Sequence, residues 1–185
     1  MSPARDEDAD APEEVVWRGR FIQAKKRGKW EYVSRTGEVS AAVILAIDEE
    51  DHVILVEQYR VPVGAACIEL PAGLVGDEQQ GEAIADAATR ELEEETGYRA
   101  ARMVTLGRFH ASAGMSSEYF TLLRAEGLVK TGEGGGVAGE NILVHRVPLA
   151  EMPAFVEAKR EAGLEVDVKL LLLLAGVFVP GSLVR

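Results

Sequence analysis

Cysteine is nearly missing from this chain: Cys67 stands alone, so an internal disulfide, a cysteine-based zinc site and a redox pair are all excluded. Basic residues are in deficit. The 20 Lys and Arg face 31 Asp and Glu, for a formal net charge of −11 and a pI near 4.8. Counterion-driven binding to nucleic acid or to an anionic membrane needs a basic surface, so neither is expected as a partner, and any phosphate-bearing substrate needs a metal bridge. Long apolar runs are also lacking. LLLLLAGVFV is the most apolar stretch, but Lys169 and Pro180 confine it to about ten residues, well short of the roughly 20 that a bilayer span requires. It reads as a buried helix. The N-terminus shows no basic-then-apolar leader pattern, and the expectation is a soluble, cytoplasmic protein.

At 185 residues the chain is long enough for one domain with a substantial core. Residues 1–13 are rich in Asp, Glu, Ala and Pro and read as a disordered acidic tail. VVWRGRFIQAKK and KWEYVSR, joined at Arg27 and Gly28, read as an antiparallel hairpin extension over 14–38. VSAAVILAID and HVILVEQYRV follow as strands apolar enough to be buried on both faces. After a loop containing LPAGLVGDEQQG, a helix is predicted from about Gly81 to Thr96, with Ile84, Ala87, Ala88 and Leu92 at helical spacing. Strands are predicted at 101–109, 116–125 and 141–147, a mobile glycine-rich loop at 130–140, and helices at about 149–162 and 166–178. The pattern predicts an α/β class fold in which a mixed sheet is flanked by helices, with one main domain over 39–180.

The stretch RELEEETGY, residues 90–98, crowds negative charge at the end of that helix. Glu91 faces both Glu94 and Glu95 one turn away, and each like-charge pair costs a few tenths of a kcal/mol. Gly97 reads as the C-terminal cap, which places Glu94 and Glu95 where the macrodipole favours cations. Two readings are open: a solvated acidic face, or a divalent cation held among Glu91, Glu94 and Glu95 that cancels the repulsion.

The surrounding residues resolve this through a resemblance. Gly76, Glu82, Arg90, Glu91, Leu92, Glu94, Glu95, Gly97 and Tyr98 match in full the pattern G-x5-E-x7-R-E-U-x-E-E-x-G-U, where U is bulky and apolar or aromatic. This is the signature of the Nudix hydrolases, which cleave nucleoside diphosphates linked to another group. EQYRVPVG, IELPAG and GENILVHRVPLAEM are similar to the ADP-ribose and nucleotide-sugar pyrophosphatase branch, over roughly residues 15–178. The resemblance implies a Nudix-type α/β/α sandwich and Mg²⁺ or Mn²⁺ as cofactor. It also implies Glu91, Glu94 and Glu95 as metal ligands, with the carbonyl of Ala72 or, if GDEQQ is a loop insertion that shifts, Gly76 as a backbone ligand. Gly76, Glu82, Arg90 and Gly97 take structural roles in the box.

For the general base the resemblance points to Glu140, on the flexible loop, with Glu133 and Glu94 as competitors. It also implies that Trp30 stacks on a nucleobase, against the alternative of a core tryptophan. Arg60 is the expected phosphate-binding guanidinium, with a surface salt bridge as its alternative, and Glu69 either binds ribose or braces Arg60. Gly114 and Glu118 are expected near the substrate. The branch commonly shows Ser-Pro-Gly where this chain has Ser112, Ala113 and Gly114, a departure that removes a φ constraint from that loop. His110 and His145 read as structural. The expected reaction is hydrolysis of ADP-ribose to AMP and ribose 5-phosphate. GDP-mannose, UDP-sugars and dinucleoside polyphosphates are the alternative substrates, and a non-catalytic nucleotide-binding module is the other class. Homodimerisation through the N-terminal strands is implied as well.

Overall fold

Alternation along the strand VSAAVILA sets the layers of the molecule. A computed structural model of the chain describes residues 4–37, 39–75 and 83–174. In it Val43 and Leu45 point into one apolar cluster with Leu55, Ile68, Leu122 and Leu170, while Ala42, Ile44 and Ala46 point into a second with Ala88 and Leu92. A strand with both faces buried is apolar throughout, as the sequence predicts.

Three sheets carry the architecture. The strands β1 (Glu13–Arg18), β2 (Ile22–Arg27) and β3 (Trp30–Arg35) form an antiparallel sheet of their own. The strands β4 (Ser40–Ala46), β7 (Ala72–Val75), β8 (Tyr98–His110) and β9 (Tyr119–Lys130) form a mixed sheet in the order β7-β4-β9-β8, with β4 and β9 parallel. The strands β5 (His52–Arg60), β6 (Ala65–Glu69), β10 (Leu143–Pro148) and β11 (Glu165–Val166) form the other mixed sheet, in the order β10-β5-β6-β11. Helix α1 (Ile84–Thr96) packs on β7 and β8, and helix α2 (Met152–Glu161) with the described part of α3 (Leu170–Leu174) closes the opposite cluster. The predicted single flanked sheet is therefore two four-stranded mixed sheets; the α/β class and the N-terminal antiparallel extension stand.

Helix α1 buries Ala87, Ala88 and Leu92 at helical spacing, and full burial of a leucine contributes about 1.5–3 kcal/mol. It stops at Gly97, whose φ of 71° is left-handed and whose N–H donates to the Glu93 carbonyl at 2.8 Å. A side chain at Gly97 would also strike the Gly132 carbonyl, with its Cβ 2.2 Å from that oxygen.

The N-terminal segment differs from the tail expected at 1–13. Residues Glu7–Asp10 form a 3-10 turn, and β1 begins at Glu13. The Asp8 carboxylate accepts the Lys29 N–H at 3.0 Å, and Arg27 Nη1 donates to the Ala9 carbonyl at 3.2 Å, so the arm is tied to the β2–β3 turn. The expected hairpin over 14–38 is a three-stranded sheet, because the Gly19–Phe21 bend splits the first run in two. The loop at 130–140 is hydrogen-bonded to the end of α1 where mobility was expected, and β6, β7 and β11 occupy stretches read as loop or helix.

Candidate active site

Helix α1 delivers Glu91 and Glu95 to a cleft of about 470 Å³ between the two mixed sheets. Strand β7 runs past them. A Cβ on Gly73 would sit 2.1 Å from Cγ and Cδ of Glu91, so the β7 backbone runs directly against this side chain and a larger residue there would push it aside. The neighbouring Ala72 N–H donates to Oε2 of Glu95 at 3.1 Å. Glu95 is 6% exposed. Burial pushes its pKa up to about 8; the Ala72 N–H and the Arg60 guanidinium act against that, while the charges of Glu91 and Glu140 reinforce it.

The cleft gathers most of the residues expected from sequence. Arg60 on β5, whose register partner is Ala65, reaches along the sheet to Glu69 on β6 in a two-pronged pair, Nε to Oε1 at 2.6 Å and Nη2 to Oε2 at 2.7 Å. Glu69 is 4% exposed, and its carboxylate raises the Arg60 pKa above the ordinary value. Glu118 also lines the cleft and binds Arg35 Nε at 2.5 Å. Glu140 enters from the loop before β10, whereas Glu133 has a side chain 94% exposed, 3.5 Å from Lys130, and lies outside the cleft.

Other expectations fall elsewhere. Glu94 is absent from the cleft lining; its carboxylate lies 3.3 Å from Arg90 Nη1, which also approaches Glu91 Oε1 at 3.1 Å. Among the described residues no three His, Cys, Asp or Glu side chains converge as a ready-made metal cage; of the expected trio, Glu91 and Glu95 line the cleft and Glu94 does not. Trp30, 43% exposed, is no core residue. It lines a second cavity of about 400 Å³ with Tyr32, Gly114, Ser116 and Ser117. Thus Gly114 belongs with Trp30 and away from the carboxylate cleft, although the same 111–118 segment supplies Ala111 and Glu118 to the latter. Gly76, Glu82 and the expected insertion at 76–80 lie outside the described residues.

Three polar side chains of the cleft escaped the sequence reading: Arg35, Gln58 and Lys169. Lys169 Nζ sits 2.6 Å from Asp167 and over the Phe120 ring, 5.8 Å from its centroid. Its sequence signal was masked by the apolar run it precedes. His145, read as structural, lies with Nε2 2.9 Å from the Glu57 carboxylate, which strand pairing brings across from β5, and Lys159 donates to the same carboxylate at 2.7 Å.

The charges in the cleft decide what fits. Five carboxylates (Glu69, Glu91, Glu95, Glu118, Glu140) face three cations (Arg35, Arg60, Lys169), which leaves a surplus of negative charge when all are ionised. A pyrophosphate is repelled by such a site unless divalent cations enter with it. The hard oxygen donors of Glu91 and Glu95 and the backbone beside them fit a hard divalent cation.

Comparison with known proteins bears on family and fold. The model for a family described as "NUDIX domain" matches residues 37–163. An ADP-ribose pyrophosphatase of Bacillus subtilis is 37% identical over 103 residues, 56% of this chain and 52% of that protein. A methanol dehydrogenase activator of Bacillus methanolicus is 31% identical over 157 residues, 80% of this chain and 82% of that one. This chain spans about half the length of several other curated relatives that it matches. Among solved structures, one titled "Crystal structure of ADP compounds hydrolase" shares the fold with a TM-score of 0.70, at 23% identity, over 95% of this chain and 96% of that chain.

Proposed function

The chain belongs to the NUDIX domain family, and from that premise we propose that it is a metal-dependent pyrophosphohydrolase acting on ADP-ribose or a closely related nucleoside diphosphate sugar. The observation that carries this reading is the meeting of Glu91 and Glu95 with the Arg60–Glu69 pair and Glu140 in one cleft. Water attacks one phosphorus, the bridging P–O bond breaks, and ADP-ribose yields AMP and ribose 5-phosphate. Glu91, Glu95 and the Ala72 carbonyl would hold a divalent cation, Mg²⁺ or Mn²⁺, which would supply charge neutralisation and water activation. Charge neutralisation is the principal requirement of phosphoryl transfer.

The chain's own residues do the rest. Glu69 fixes the Arg60 guanidinium, whose remaining N–H donors are available to a phosphate oxygen. Arg35 and Lys169 add positive charge along the same wall. Glu140, on its loop, takes the proton from the attacking water. Trp30 and Tyr32 offer flat apolar faces to the nucleobase in the adjoining cavity. We further propose a homodimer through the N-terminal sheet, where β1 is an edge strand with all six residues exposed and Val16, Trp17 and Phe21 present apolar surface. A cytoplasmic location fits the single free thiol of Cys67.

The experiment is product analysis with ADP-ribose, GDP-mannose, UDP-glucose and diadenosine polyphosphates, with Mg²⁺ and then with EDTA. AMP and ribose 5-phosphate from ADP-ribose, lost in EDTA, is the expected result. Tight nucleotide binding without hydrolysis would instead make the chain a binding module.

A further inference from the structure

The loop between β9 and β10 reaches back to the last turn of α1, and Gly135 is its point of attachment. The Gly135 N–H donates to the Glu95 carbonyl at 2.8 Å, the Gly135 carbonyl accepts the Ile142 N–H at 3.2 Å, and the Gly136 N–H donates to the Glu94 carbonyl at 3.0 Å. The carbonyls of a helix's final turn lack partners within the helix. Here a distant loop supplies the donors. Residues 136–141 therefore form a short excursion closed at its neck by Gly135 and Ile142, and Glu140 rides on it. Within the excursion the Glu140 N–H donates to the Val137 carbonyl at 3.1 Å, and its carboxylate accepts the Val137 N–H at 2.9 Å.

Space at the neck is reserved for glycine. A Cβ at Gly134 would lie 2.4 Å from the Thr96 carbonyl carbon and 2.6 Å from the Glu95 oxygen, both backbone atoms of α1. Gly134 has φ +70° and Gly135 φ +111°, conformations that other residues adopt at a cost. Backbone cannot yield as a flexible side chain does, so an added methyl lifts the loop from the helix end.

We propose that Gly134 to Gly136 are positioning residues for the reaction: they clamp the Glu140 loop onto the main chain of Glu94 and Glu95, so the helix that presents Glu91 and Glu95 also fixes where Glu140 stands. This rests on the reading of Glu140 as the base. The clamp adds a requirement that this reading alone does not contain, namely that catalytic geometry depends on glycines that touch no substrate.

The test is a kinetic cycle on the full chain with ADP-ribose and Mg²⁺. Gly134→Ala is expected to lower kcat about ten- to a hundredfold, the scale of an ångström-sized misplacement, with KM changed little. In a Glu140→Gln background the same substitution is expected to have almost no further effect, because the group it positions is gone. Gly132→Ala serves as the control, since its methyl meets nothing within 4 Å and should leave kcat unaltered. Equal losses from Gly134→Ala in both backgrounds overturn the clamp while leaving Glu140 as base. A wild-type kcat for Glu140→Gln overturns the base and the clamp together. Amide hydrogen exchange of the unaltered protein tests the clamp even if Gly134→Ala misfolds: the Gly135 and Gly136 amides are expected to be protected, and exchange at unstructured rates overturns it.

Discussion

The Ala72 N–H points its hydrogen at Oε2 of Glu95, 3.1 Å away, and joins the edge strand β7 to the helix that carries the acidic cluster. It serves a carboxylate only 6% exposed that also feels the charges of Glu91 and Glu140. Such a carboxylate is costly in isolation and suited to a cation. Glu95→Gln keeps an oxygen for the Ala72 N–H and removes the charge. Turnover is expected to fall at least about a hundredfold, as loss of a group that holds a catalytic metal does. Thermal unfolding in EDTA should show the variant no less stable than the parent, and added Mg²⁺ should raise the melting temperature of the parent only. Turnover near the parent's value, or equal Mg²⁺ stabilisation of both, removes Glu95 from the metal site.

Arg60 and Glu69 lead to a second expectation. The guanidinium meets Glu69 with two parallel bonds, a geometry that an ammonium cannot reproduce. Arg60→Lys should therefore raise KM about tenfold or more while kcat drops less, because both the pair and the aimed donors are lost. Steady-state kinetics with ADP-ribose separate the two parameters. A fall in kcat with KM intact would place Arg60 on the transition state in place of the ground-state phosphate.

Helix α1, its Gly97 stop and the doubly buried β4 were legible because each is written in a local pattern: helical spacing, a glycine after the last turn, an unbroken apolar run. The partners of the site residues were not. Ala72 and Glu95 come from different elements, as do Glu57 and His145, and no periodicity connects them. Arg35 and Lys169 enter the cleft only once β3 and the start of α3 are folded against the mixed sheets. The acidic N-terminal arm read as disordered because composition alone offers it no core; its anchors, the Lys29 N–H and Arg27, lie in the β2–β3 hairpin. The choice between Glu133 and Glu140 was likewise open in sequence; both residues are exposed, and of the two only Glu140 lines the cleft.

That separation yields a third prediction. Glu140→Gln should lower kcat about a hundredfold or more, the usual contribution of a general base, with a smaller change in KM. Glu133→Gln should match the parent, since its side chain is 94% exposed beside Lys130. Both are read from initial rates at saturating ADP-ribose and Mg²⁺. Reversed results would transfer the proton-accepting role to Glu133 and require the loop to reorganise on binding.

The last prediction concerns acid. Glu13 on β1 binds Lys25 at 2.7 Å, the Tyr32 hydroxyl at 2.5 Å and Arg27 at 3.0 Å, so its carboxylate ties all three strands of the N-terminal sheet. The hydrogen bonds from Lys25 first and Tyr32 next depress its pKa from 4.5 to about 2. A folded pKa below the unfolded one contributes stability that is present above about 4.5 and is lost as the pH falls towards 2. Both tryptophans of the chain, Trp17 and Trp30, lie in this sheet, so their fluorescence reports on it alone. Between pH 4.5 and 2 the parent should show a fluorescence transition, as protonated Glu13 releases its partners and the cavity wall formed by Glu13, Trp30 and Tyr32 loosens. Glu13→Gln should start with a weaker sheet at neutral pH and show a shallower dependence across the same window, because its side chain has no proton to gain. Superimposable titrations of the two proteins would mean that other carboxylates govern the acid response and that Glu13 does not hold the sheet together.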